Sequence, residues 1–379
     1  MINFWSFDMK VAVIVGTRPE IIKLSETLKL LKEYSSLTLI HTGQNYDPNL
    51  SKVFFDDLKL EEPEIYLDIK NSSPGSFVGE VISRSYEVLN QIKPDALLIL
   101  GDTNSCMAAY SAKRLKIPIF HIEAGNRCFD LNVPEEINRK IIDHLSDVNF
   151  TYTKLAKDYL TKEGLDPRYN IVAGSPMREI LEKNAEGIKS SGILNKLCLK
   201  TDNYFLFSLH REENVDDAGN LELIAQTLSE IERQYRLPII FSMHPRTRKR
   251  IQQFGINIKD NALLKIMEPF GFLDYCKLQT NAKLVFSDSG TITEESSIMK
   301  FRAISMRPTH ERPEGEEVGA LISAKFSDPK LFKCIDLVLN QDPFEIDEIS
   351  DYGRSNFSSV ILKNIFSLTE LINKNVWRK

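Results

Sequence analysis

Strand-length apolar runs alternate with stretches whose apolar residues return at helical spacing, almost from one end of this chain to the other. Lys10 to Val15 is such a run, stopped by Gly16, and Ile21 to Tyr34 then carries the helical period, which makes a βα unit. Further strand candidates are Leu37 to His41, Ala96 to Leu100, Ile119 to Ile122 and Val148 to Tyr152. Helical stretches at Asp47 to Leu58, Gly75 to Ile92, Asn104 to Leu115 and Glu135 to Leu145 separate them. A second series has strands near Tyr204 to Leu209, Pro238 to Ser242, Leu263 to Met267, Leu284 to Ser287 and Ala303 to Met306. This alternation predicts parallel, doubly wound α/β sheets.

At 379 residues the chain exceeds the size at which one core stops growing, so two domains are expected. The periodicity fades between Lys183 and Asn203, which places residues 1–185 in the first domain and 186–354 in the second. The amphipathic segment Ser355 to Asn373 is expected to cross back, so that 355–379 pack on the first domain. Two such domains imply a cleft between them. A net charge of −5 gives no general attraction to nucleic acid or an anionic membrane, and no apolar run is long enough to span a bilayer. Met1 to Asp8 lacks the features of a signal peptide and reads as a short extension. Five scattered cysteines without a CxxC pair predict reduced thiols in a cytoplasmic protein, with no disulfide framework and no metal site.

Carboxylates cluster at the carboxyl ends of the first series of strands, where an open parallel sheet binds its ligands. Gly101-Asp102-Thr103-Asn104, His121-Ile122-Glu123-Ala124-Gly125 and Pro134-Glu135-Glu136-Ile137-Asn138-Arg139 put Asp102, Glu123 and Glu135 there. Gly16-Thr17-Arg18-Pro19-Glu20 lies at a strand-to-helix turn and reads equally as an anion site or as a plain helix start. In the second series, Ser287 to Glu295 contains Thr291 and Glu294 at capping-box spacing. Ser289-Gly290 then offers a phosphate cradle and Glu295 a ribose contact. His210 and Arg211 end a strand, which favours a catalytic or pyrophosphate role. In Met243 to Arg250 the basic residues read as a solvated helix start, leaving His244 as the candidate. Arg307 to Glu314 reads as a loop that brings Arg312 to a phosphate or carboxylate.

Taken in order from Lys10 to about Gly319, these motifs, with Gly174-Ser175-Pro176 and Glu311-Arg312-Pro313-Glu314, resemble the UDP-N-acetylglucosamine 2-epimerase family. The resemblance implies a GT-B fold of two Rossmann-like domains with a UDP-2-acetamido sugar between them, no cofactor, and a homodimer. It implies acid/base roles for Asp102, Glu123 and Glu135, with His210 assisting near the leaving diphosphate. Arg18, Ser289, Gly290 and Glu295 would contact UDP, and Lys23, Arg139, Arg211, His244 and Arg312 complete the substrate-holding set. Two departures are present: Thr291 follows Ser289-Gly290 where many members read Ser-Gly-Gly, and Gln44-Asn45-Tyr46-Asp47 lacks the Gln-His-Arg of members with an allosteric substrate site. Regulation by UDP-N-acetylglucosamine is therefore not implied.

Thr42 to Asp47, Asn126 to Asp130 and His244 to Arg250 are similar to the branch that makes UDP-N-acetyl-L-fucosamine from UDP-2-acetamido-2,6-dideoxy-L-talose for capsule or O-antigen synthesis. The plain glucosamine/mannosamine epimerase is the alternative. Hydrolysing epimerases, GT-B glycosyltransferases and non-catalytic sugar sensors remain as competing readings. Only an epimerase would exchange the C2 hydrogen with solvent without an acceptor.

Overall fold

The computed structural model describes residues 9–44, 54–69, 73–307, 309, 311–342 and 345–379. The Met1 to Asp8 extension, most of the helix expected from Asp47 onward, and Asn45, Tyr46, Pro308 and His310 lie outside the described residues. The chain forms two compact units, Met1–Glu182 with Asp351–Lys379, and Lys183–Ser350.

In the first unit the strands are β1 (Lys10–Val15), β2 (Ser36–His41), β3 (Ile65–Tyr66), β4 (Ala96–Leu100), β5 (Ile119–Ala124), β6 (Val148–Thr151) and β7 (Asn170–Val172). They lie in the order β3-β2-β1-β4-β5-β6-β7, every neighbouring pair parallel. All five residues of β4 are buried, as expected of a strand covered on both faces. The order reverses between β1 and β4, the switch point at which doubly wound sheets open a crevice beyond their strand ends.

In the second unit β8 (Phe205–Leu209), β9 (Ile239–Met243), β10 (Leu264–Met267), β11 (Leu284–Ser287), β12 (Ala303–Ser305) and β13 (Ile322–Ser323) run parallel in the order β10-β9-β8-β11-β12-β13. Side-chain alternation splits its core into two layers. Phe205, Phe207 and Leu209 face one layer, and Tyr204 and Leu206 face the other. Phe207 stacks on Phe286 across β8 and β11, 4.3 Å apart, and each buried ring contributes about 2 kcal/mol. The switch point here falls between β8 and β11.

The closing helix, Phe357–Ile372, buries Phe357, Ile361, Ile365 and Ile372 and packs on the helix Arg18–Tyr34. The helix expected from Asn104 to Leu115 begins instead as a 3-10 turn, Asn104–Met107, and becomes α-helical at Ala108. The sequence reading missed β3, β7 and β13, which have two or three residues each, too few to show a period. Among the described residues no helix is long and apolar enough to cross a membrane.

Candidate active site

Glu123 sits one residue before the end of β5, at the strand end where the first sheet opens. Its backbone adopts φ 69°, in the left-handed region, and the β5–β6 register slips between Ile122 and Ala124. A non-glycine residue held there costs of order 1–2 kcal/mol, so its surroundings must impose the geometry. The carboxylate is nine-tenths buried; its Oε2 accepts from Lys23 Nζ at 2.6 Å and from the Tyr152 hydroxyl at 3.3 Å. Gly101, at φ 76°, passes so close that a Cβ there would lie 3.9 Å from the same oxygen. Asp102 and Glu123 therefore share one end of the sheet.

Asp102 Oδ2 accepts from Arg139 Nε at 2.9 Å and lies 2.7 Å from its Nη2, and Asn138 Nδ2 donates to the Asp102 carbonyl at 2.9 Å. Both donors come from the helix Pro134–Leu145, in whose first turn Glu135 lies half-buried. Glu135 and Arg139 are four residues apart, neighbours on one helix face. The adjacent Glu136 is fully buried and accepts from the N–H groups of Cys128 and Phe129 and from Arg139. It shapes the loop before the helix.

At the Gly16 turn the backbone N–H groups are engaged within the chain, as in a helix start. The Gly16 and Thr17 N–H groups donate to the Glu20 carboxylate, whose other oxygen accepts from the Thr103 hydroxyl at 2.6 Å. Gly16 is required because a Cβ would fall 2.0 Å from Ser105 Oγ and 2.5 Å from Thr42 Oγ1. Burial pushes the Glu20 carboxyl up to about 7, against the lowering pull of Thr103, Gly16 and Thr17. Sequence reasoning gave Glu20 no role, although Thr17 and Glu20 stand at capping-box spacing. The Arg18 guanidinium lies 5.5 Å from the Phe54 ring centre.

In the second unit the organising group is Asp288, fully buried at the end of β11. It accepts from the His210 N–H at 3.0 Å, the Arg211 N–H at 2.9 Å and Asn214 Nδ2 at 2.9 Å, with His210 Nδ1 3.1 Å away. Burial works to raise its pKa, yet the His210 charge and these donors hold the carboxyl at about 2. The His210 ring lies 5.6 Å from that of His244.

Two expectations for this unit change in detail, the Thr291 cap and the solvated basic run. Thr291 forms no side-chain cap; its backbone is helical, φ −72° and ψ −12°, and its hydroxyl pairs with Ser289 Oγ at 2.9 Å. The Ser289 N–H donates to Ser287 Oγ at 3.1 Å. Glu295 is buried and accepts from Gln279 Nε2 at 2.5 Å. A Cβ on Gly290 would meet Arg312 Nη1 at 2.5 Å, and Arg312 in turn pairs with Glu311 at 3.2 Å. His244 caps the helix Pro245–Phe254 by accepting from the Arg246 N–H at 3.2 Å. Arg246 and Arg250 are not merely solvated. Both clasp Asp216, chiefly by side-chain hydrogen bonds from Arg246, and hold its carboxyl at about 2.

The structure thus groups Asp102, Glu123, Lys23 and Arg139 at the strand ends of the first unit, with Glu135 in the first turn of the helix that supplies Arg139. It groups His210, Arg211, His244, Ser289, Gly290 and Arg312 around the strand ends of the second. Among the described residues no group of three or more His, Cys, Asp or Glu could hold a metal ion.

Residues 29–365 match the family model described as UDP-N-acetylglucosamine 2-epimerase. The UDP-N-acetylglucosamine 2-epimerase of Methanocaldococcus jannaschii is 40% identical over 344 residues, 88% of this chain and 93% of that protein. A solved structure of UDP-N-acetylglucosamine 2-epimerase from Rickettsia bellii is 42% identical with a TM-score of 0.89, covering 98% of this chain and all of that one. The Methanocaldococcus jannaschii enzyme in complex with UDP-GlcNAc and UDP superposes with a TM-score of 0.89 at 37% identity, covering 95% of this chain and 100% of that chain.

Proposed function

The chain belongs to the UDP-N-acetylglucosamine 2-epimerase family, and from that premise we propose that it inverts C2 of a UDP-2-acetamido sugar by eliminating and re-adding UDP. The observation that carries this reading is the pairing of two strand-end carboxylates with cations, Asp102 with Arg139 and Glu123 with Lys23. Such pairing favours the ionised form, the one able to take a proton.

C2 of an acetamido sugar has no adjacent carbonyl, so its hydrogen is too weakly acidic for direct removal. As the C1–O bond breaks, its electron pair leaves with UDP and positive charge grows on the ring. A carboxylate then removes the C2 proton, leaving a 2-acetamidoglycal with a double bond between C1 and C2. A carboxylic acid returns a proton to the opposite face while a UDP oxygen rejoins C1, and the configuration at C2 is inverted. Asp102, Glu123 and Glu135 supply these acid and base groups, each aligned by the helix or cation beside it. His210, next to Asp288, takes the departing diphosphate. Arg18, Arg211, His244, Ser289, Gly290, Glu295 and Arg312 hold the nucleotide, and Lys23 and Arg139 act through the carboxylates they touch. The reading requires no cofactor.

For the sugar, the segments Thr42 to Asp47, Asn126 to Asp130 and His244 to Arg250 favour UDP-2-acetamido-2,6-dideoxy-L-talose, epimerised to UDP-N-acetyl-L-fucosamine for capsule or O-antigen synthesis. The 40% identity to a relative named for UDP-N-acetylglucosamine favours the glucosamine/mannosamine pair as the second reading. A cytoplasmic homodimer completes the proposal; exposed Phe129, Leu131, Ile137 and Ile141 offer uncovered apolar surface for it.

NMR of the enzyme with a panel of UDP-2-acetamido sugars in deuterated buffer tests the whole. The expected result is deuterium at C2 and a second C2 epimer for one sugar of the panel. Stoichiometric release of free UDP would convert the reading to a hydrolysing enzyme, and absence of exchange on every sugar would end it.

A further inference from the structure

We infer that Tyr152 is a positioning residue for the C2 proton transfer: with Lys23 it fixes one oxygen of the Glu123 carboxylate. The inference rests on the reading that Glu123 is an acid/base group. Tyr152 follows β6 directly and is 1% exposed. A phenylalanine would fill the same space, and burying a hydroxyl is costly unless it finds a partner. Here the hydroxyl donates to Glu123 Oε2 at 3.3 Å, and Lys23 Nζ donates to the same oxygen at 2.6 Å. That ammonium also lies 5.8 Å from the centre of the Tyr152 ring. Phe357, at the start of the closing helix, backs the ring edge-on, 6.3 Å away at 82°.

Two side chains from elements distant in sequence therefore converge on one carboxylate whose own backbone is strained at φ 69°, and the closing helix backs one of them. Two donors on one oxygen stabilise the ionised carboxylate and remove its freedom to turn about its last torsion.

Tyr152→Phe keeps the ring and removes only the hydroxyl. It should lower kcat roughly tenfold, less than the ~100-fold or more of a lost acid/base group because Lys23 still holds the carboxylate, with KM within about twofold. The acid limb of the kcat/KM profile should move up by about half a pH unit or more, because a hydrogen bond to the charged form is lost. In a Glu123→Gln background the same substitution should have no further effect on kcat. A readout without substrate is the side-chain carboxyl ¹³C resonance of Glu123, assigned as the one missing from Glu123→Gln, which should titrate at higher pH in Tyr152→Phe. An unchanged kcat, pH profile and carboxyl titration in Tyr152→Phe, beside a crippled Glu123→Gln, overturns the inference alone. A Glu123→Gln enzyme as fast as the wild type overturns the acid/base reading beneath it.

Discussion

Arg139 holds Asp102 through carboxylate Oδ2, approaching it with Nε at 2.9 Å and with Nη2 at 2.7 Å. The same guanidinium reaches Glu136 at 3.1 Å, and Glu136 fixes the loop that precedes the helix. One arginine thus links the end of β4 to the helix that carries Glu135. Asp102 and the helix that bears Glu135 are tied together by that one side chain.

Asp102→Asn tests this arrangement because an amide oxygen can still accept from Arg139 but cannot exchange a proton. Turnover should fall by at least ~100-fold, the scale of general acid/base catalysis, while UDP affinity stays within a few-fold. Glu123→Gln and Glu135→Gln should behave alike. Steady-state kinetics with UDP titration decides, and wild-type turnover in all three would refute the assignment.

Asp288 makes a prediction about stability. Its folded pKa of about 2 lies below the usual 3.8, so its contribution is present above about pH 4 and is lost as pH falls through 2. A shift of that size is worth about 2 kcal/mol. Urea unfolding of wild type and Asp288→Asn should differ by about that amount at neutral pH, and the gap should close between pH 4 and 2. A gap of the same size at every pH would show that the charge of Asp288 is not its source.

How much of this was visible in the chain depends on the range of the interaction. The strands and their carboxyl ends were legible because apolar runs such as Ala96 to Leu100 end abruptly in Gly101-Asp102. What happens to the carboxylates there was not, because Lys23 and Glu123 are 100 residues apart and Thr103 and Glu20 are 83 apart. The strained backbone of Glu123 coincides with the register slip between β5 and β6, which no local pattern encodes. Thr291 shows the converse. Its spacing to Glu294 was right for a capping box, but a helical backbone at Thr291 turned the hydroxyl to Ser289.

Gly290 is expected to be intolerant of even a methyl group. The added Cβ would lie 2.5 Å from Arg312 Nη1 and 3.2 Å from Glu311 Oε1, so the buried Arg312 would have to move. Gly290→Ala should weaken UDP binding roughly tenfold, the equivalent of about 1.4 kcal/mol. Calorimetric titration with UDP measures this, and unaltered affinity would remove Gly290 and Arg312 from the nucleotide site.

Glu20 predicts a stability change of the opposite sign to that of Asp288. Its folded pKa is raised from 4.5 to about 7, so between those values the folded state holds a proton that the unfolded chain has released. Unfolding free energy should therefore fall as pH rises from 4.5 to 7, by up to about 3 kcal/mol from this group. Glu20→Gln keeps an acceptor for Thr103 and removes the titration. The variant should lose stability at pH 4.5, where it lacks part of the Gly16, Thr17 and Thr103 network, and then gain on the wild type steadily toward neutral pH. Denaturant unfolding of both proteins across that interval reads the difference directly. Parallel curves would mean that Glu20 titrates like an ordinary carboxyl, its three donors outweighing burial, and that it enters the neutral-pH enzyme as an anion bridging the Gly16 and Thr103 turns.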